Sequence, residues 1–164
     1  MRYVWILTLT LVLAACSFSR GRSKKPKPQF VAAEYAPYAT AGTSAVVGQA
    51  FLKTRGGDVK YGAGNKVTLT PVTSYSTPYF ESGSAKLVSP SDPNVEEYTW
   101  STIGDGEGRF VFEGLPPGEY YVACWITWLV SYGKGTRTSG GVARRRIQVG
   151  PDEVLQNVIV YQSG

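Results

Sequence analysis

The side chains best suited to grip another molecule lie in the second half of the chain. Trp125 and Trp128 sit in the run WITWLVSY, and three consecutive arginines follow in ARRRIQV, residues 143–149. An indole presents a flat apolar face to a sugar ring or a protein surface, and a guanidinium offers a donor fork to carboxylates. Alternation along a strand puts Arg144, Arg146 and Gln148 on one face and Arg145 in phase with Ile147 and Val149. The same parity sets Trp125 opposite Tyr120, Val122 and Cys124, and sets Trp128 on the other side from Trp125. A sheet packed on one side buries only that face, so at least one of the two indoles is expected to be exposed or covered only by residues 71–98. With Arg144 and Arg146 it would form an aromatic and basic binding surface. Trp100 is a further candidate aromatic. The arginine row is not by itself a polyanion site, because charges also mark exposed strands and discourage edge pairing.

Catalytic chemistry finds few materials. The chain has no histidine, which removes Ser-His-Asp and Cys-His arrangements and the imidazoles of the common zinc triads. Asp105 and Glu107 could touch calcium, yet the ligand-rich loop of a calcium hand is missing. The run Gly104-Asp-Gly-Glu-Gly108 has a dinucleotide loop's glycines but leads into a strand, so no helix amino terminus would receive phosphate. No catalytic residue, metal or cofactor is expected, and the chain is read as not an enzyme.

The elements that must position these residues radiate from residues 102–125. Asp105-Gly-Glu-Gly108 is turn chemistry, RFVF from Arg109 is a strand, and Leu115-Pro-Pro-Gly118 stops it because proline lacks a ladder donor. A second strand over residues 119–126 then carries Tyr120, Val122, Cys124 and Ile126 on one face. This corner resembles the carboxypeptidase regulatory-like domain, whose signature is D-G-x-G-x-F-x-F-x-x-L-x-P-G-x-Y-x-V. Asp105, Gly106, Gly108, Phe110, Phe112, Leu115, Pro117, Gly118, Tyr120 and Val122 fill every fixed position. The resemblance implies an all-β, transthyretin-like Greek-key sandwich of about seven strands, serving as an accessory or binding module without catalytic residues.

Other strands are read at Ser44–Lys53, at residues 65–70 with Val67 and Leu69 inward, and at residues 155–161. Residues 133–141, rich in glycine, serine and threonine, are expected to be a flexible polar loop. Residues 71–98 form an insertion broken by Pro78, Pro90 and Pro93, with one short strand or helix over residues 79–88. It either carries function or covers an open edge. Tyr120 is expected in the core or at a corner, and Cys124 as a buried free thiol.

At the amino terminus, residues 4–13 form an apolar or threonine run shorter than the about 20 residues needed to cross a bilayer, as in a signal peptide. It ends in Leu13-Ala-Ala-Cys16, which resembles the lipobox of bacterial lipoproteins. That resemblance implies removal of residues 1–15 and a lipid on Cys16 as the link to the membrane. Residues 16–43 then read as a basic tether, and residues 44–164 as the sandwich domain. Arg2 and the tether's five cations, less Glu34, account for the net charge of +5, so the domain itself is neutral. No nucleic-acid partner is expected; the basic run suits anionic headgroups. Ser17 after the cysteine favours the outer membrane, facing the periplasm, in a Gram-negative cell, and otherwise an extracytoplasmic membrane anchor. The expected function is a cell-envelope lipoprotein whose sandwich is a non-catalytic structural or protein-binding module. The alternatives are a carbohydrate or envelope-polymer binder, or an accessory domain for a separately encoded enzyme.

Overall fold

Burial along the first strand has the period of two that a half-buried strand requires. In β1, Ser44–Lys53, residues 44, 46, 48, 50 and 52 are buried, and those between them are partly open. The structure, a computed structural model, describes residues 26–163. The signal peptide, Cys16 and the first part of the tether lie outside the described residues.

Seven more strands follow: β2 Val59–Tyr61, β3 Lys66–Pro71, β4 Trp100–Ile103, β5 Arg109–Leu115, β6 Gly118–Tyr132, β7 Gly135–Val149 and β8 Val154–Ser163. They make two sheets. In the first, β8 runs parallel to β1 along one edge, while β5 and then β2 pair antiparallel to β1. The second has the order β4-β3-β6-β7, antiparallel throughout. Between them lies a core that includes Val46, Leu69, Phe110, Phe112, Tyr120 and Ile126. The chain is thus the all-β sandwich its sequence foretells, with eight strands among the described residues rather than about seven.

The central corner works as its residues dictate. Asp105 Oδ1 accepts from the backbone N–H groups of Glu107 and Arg109, both at 2.8 Å, and these bonds hold its carboxyl below the usual carboxylate range. Gly108 takes φ 71°, the left-handed region that glycine enters without a Cβ clash. The buried Tyr120 hydroxyl donates to the Pro116 carbonyl at 2.6 Å, tying strand to turn. Farther on, Asn157 at φ 57° marks a bulge where the β1–β8 register shifts, so that Val158 and Val160 face the core.

Three expectations are corrected. Residues 133–141 are not a loop: β6 and β7 pair continuously from Gly118↔Val149 to Tyr132↔Gly135, closing over Gly133 and Lys134. Cross-strand hydrogen bonding overrides a composition poor in strand formers. The insertion is helical, with α2 Ser76–Ser82, a 3₁₀ turn Ala85–Leu87 and α3 Pro93–Glu96, and it covers the outer face of the second sheet rather than an edge. There Leu87, Val88 and Phe80 pack on Tyr121, Ala123 and Val142, and the Phe80 and Tyr121 rings stack at 4.1 Å. Finally, the packed body begins near Phe30, not at Ser44. Tyr35, in α1 Ala32–Tyr35, is fully buried, bonds Thr73 Oγ1 at 2.9 Å, and clusters with Phe30, Tyr75, Val95 and Tyr98. Desolvation raises its phenol to about 12. The residues just upstream of β1 therefore act as a strap over the insertion.

Candidate functional site

The structure separates residues that the sequence analysis joined. Trp125, Arg144 and Arg146 do share the outer face of the second sheet, since Trp125 pairs with Val142, Ala123 with Arg144 and Tyr121 with Arg146. The helical insertion lies among them. It places the Phe80 ring 5.5 Å from the Arg144 guanidinium and brings Gly83 against Arg144 Nη1, which is buried without a hydrogen-bond partner. Arg146 pairs with Glu119 at 2.7 Å, which raises the guanidinium pKa and cancels its charge. Trp125 is left 41% exposed in a groove of about 430 Å³ with Asn65, Lys66, Ala85, Val88 and Ser89. Neither arginine lines that groove, where the cation beside Trp125 is Lys66.

Trp128 projects from the other face of β6, as parity requires. Half-buried, it packs against the core and lines a cleft of about 260 Å³ with Leu52, Lys53, Thr54, Arg55, Gly140, Gly141 and Gln162. The cleft lies where β1 and β8 end and the β6–β7 ribbon leaves the sandwich. Beyond it the ribbon carries Leu129 and Tyr132 into solvent, each 70% exposed, with the Arg137 guanidinium 5.4 Å from the Tyr132 ring.

A third aromatic group was not singled out from the sequence. On the outer face of the first sheet, Phe51 stands between Tyr61 of β2 and Tyr161 of β8, each its register partner. The Phe51 and Tyr161 rings are 5.9 Å apart and within 22° of parallel, while Tyr61 meets Phe51 edge-on at 6.4 Å. Tyr61 is 48% and Tyr161 56% exposed. Among the described residues nothing covers this face, and the exposed Val111 and Ile159 extend it. Its polar rim is internally satisfied: Gln49 donates to the Glu107 carbonyl at 2.8 Å, and Arg109 pairs with Glu107. The signal was present in the outward phase of Val47, Gln49, Phe51 and Lys53. Only the β1–β8 pairing brings Tyr161 beside them.

Among the described residues, no group of three or more Cys, Asp or Glu side chains converges in a way that could hold a metal ion. No helix among them is long and apolar enough to cross a membrane.

Comparison with known proteins gives a likeness in structure. No protein-family model and no curated protein sequence matches the chain. Among solved structures, it is similar to a proposed carbohydrate binding protein from Pseudomonas aeruginosa. The two are 27% identical and superpose with a TM-score of 0.71 over 84% of this chain and 100% of the other.

Proposed function

We propose that the sandwich is a non-catalytic carbohydrate-binding module of the cell envelope, carried on a lipid at Cys16. The observation that carries this reading is the uncovered row Tyr61–Phe51–Tyr161 on an open sheet face. Pyranose rings present C–H bonds on their flat faces, and these meet the electron-rich face of an aromatic ring. Neighbouring strands lie about 4.8 Å apart, so one aromatic per strand sets rings at intervals close to the length of a sugar unit. Phe51 and Tyr161 form the floor, and Tyr61, standing edge-on, forms a rim. The solved structure from Pseudomonas aeruginosa supports the same ligand class. Binding without chemistry fits the absence of histidine from the chain.

Titrating the purified full-length protein with envelope and capsule oligosaccharides tests this. Tyr161→Ala should weaken glycan binding by at least about tenfold, as for an aromatic anchor at an interface, with little change in thermal midpoint. Unchanged affinity in both Tyr61→Ala and Tyr161→Ala would sink the platform.

A protein contact is the second reading, and the β6–β7 ribbon favours it. It extends exposed Leu129 and Tyr132 past the sandwich, and β7 ends its sheet with an unpaired edge that could accept a partner strand. Mild crosslinking in membranes followed by recovery of the domain tests it; repeated recovery of this chain alone would count against it.

A further inference from the structure

The residues of the Trp128 cleft follow those of the aromatic platform in the chain: Phe51 is followed by Leu52 and Lys53, and Tyr161 by Gln162. Successive strand residues face opposite ways, so the cleft opens at the end of the sheet, on the Trp128 side, and not on the platform's own face. Its composition differs from that of the platform. The polar residues at its lining are Lys53, Thr54, Arg55 and Gln162, with no acid among them. Neither Lys53 nor Arg55 takes part in an ion pair among the described residues. Thr54 is occupied within its turn, where its Oγ1 accepts from the Asp58 N–H at 3.1 Å. The hollow also depends on an absent side chain, because a Cβ on Gly141 would reach 3.4 Å from Leu52 Cδ1 and begin to fill it. A half-buried indole, a space kept open by glycine and two cations with no ion-pair partner among the described residues thus meet at one end of the sandwich.

We propose that this cleft is a subsite for an acidic sugar, and hence that the glycan carries uronic acids. The inference rests on the carbohydrate-binding reading and adds the charge of the ligand. The indole of Trp128 receives a ring face, while Arg55 and Lys53 hold the carboxylate, arginine through its two-pronged fork and lysine as a point charge. Both cations are exposed to solvent, so the attraction weakens as salt rises.

The test compares each acidic oligosaccharide with its own carboxyl-reduced form, which keeps the skeleton and removes the charge. Galacturonate, mannuronate and glucuronate oligomers serve as probes, titrated by calorimetry into the full-length protein in detergent. At least one acidic oligomer should bind about fivefold or more tighter than its reduced form, as one or two exposed ion pairs allow, and high salt should erase the difference. The double variant Lys53→Gln, Arg55→Gln should bring the ratio close to one. Gly141→Leu should weaken the acidic oligomer by filling the cleft. Thermal melts establish that each variant is folded. Equal binding of acidic and reduced forms would overturn the acidic subsite and leave the platform standing. A preference that survives the double variant would overturn the assignment to Lys53 and Arg55. Failure of every oligomer in both forms would overturn the acidic subsite, while the carbohydrate-binding reading answers to the wider titration described above.

Discussion

Cys124 lies fully buried between the sheets, with no disulfide partner among the described residues. Burial pushes its thiol from the usual 9.0 up to about 12, and Tyr35 rises likewise from 10.0 to about 12. Both groups release protons more readily when unfolded, so the stability they contribute is whole below about pH 9 and is lost as pH climbs from 9 toward 12. The thermal midpoint should therefore hold through pH 8.5 and fall above pH 9, and Cys124→Ala should flatten the first part of that fall. A midpoint constant to pH 11 would refute the assignment. Phe112 and Trp125 test core against surface. Phe112→Ala should cost about 3–5 kcal/mol by opening a core cavity, whereas Trp125→Ala should cost under about 1 kcal/mol as a surface change. Urea unfolding of the two variants measures the gap, and equal losses would place Trp125 in the core.

Among the elements, the segment ahead of β1 departs furthest from its expected role as a tether. Glu34 accepts from the Ser74 N–H at 2.6 Å, Tyr35 bonds Thr73, and the Tyr38 hydroxyl donates to the Glu119 carbonyl at 3.2 Å. It thus pins the insertion to the sandwich from outside. A chain beginning at Ser44 should lose about 3 kcal/mol or more relative to one beginning at residue 26, since a buried tyrosine and its cluster go with the strap. Urea midpoints decide this, and coincident curves would return the segment to the status of a spacer. The insertion in turn explains why the second sheet is buried on both faces while the first keeps an open one. Its residues Phe80, Leu87 and Val88 pack on the outer face of β6 and β7, and Phe80 lies against Arg144.

For the molecule as a whole, the proposed lipid on Cys16 and the proposed glycan platform would place the sandwich between a membrane and a polysaccharide. The basic residues before Pro26 would lie next to the lipid, where each lysine or arginine adds about 1 kcal/mol of attraction to anionic headgroups. The wild-type protein should fractionate with membranes and show the mass of an acylated chain starting at Cys16. Cys16→Ser should yield an unanchored or uncleaved precursor. A soluble mature protein that starts elsewhere and carries no acyl mass would end the lipoprotein reading, while leaving the glycan platform to its own test.

The turn and strands of residues 105–122 were legible in the sequence because their determinants are local. Asp105 bonds its own neighbours, Gly108 permits its own φ, and Tyr120 reaches back only to Pro116. The opposite faces of Trp125 and Trp128 follow from the period of a strand, and the buried Cys124 from the same alternation. What only the tertiary structure decided depends on residues far apart in the chain. Helices as short as α2 and α3 carry too little of a helical period to announce themselves; α2 is placed over β6 by contacts such as Thr77 with Tyr121, and α3 packs its Val95 on Tyr35 and Tyr75. The strap is held by Tyr35 against Thr73. The platform joins residues 61 and 161 through β1 between them. Alternation shows which way a side chain points, but pairing chooses its neighbours, and pairing is settled by the free energy of the whole fold.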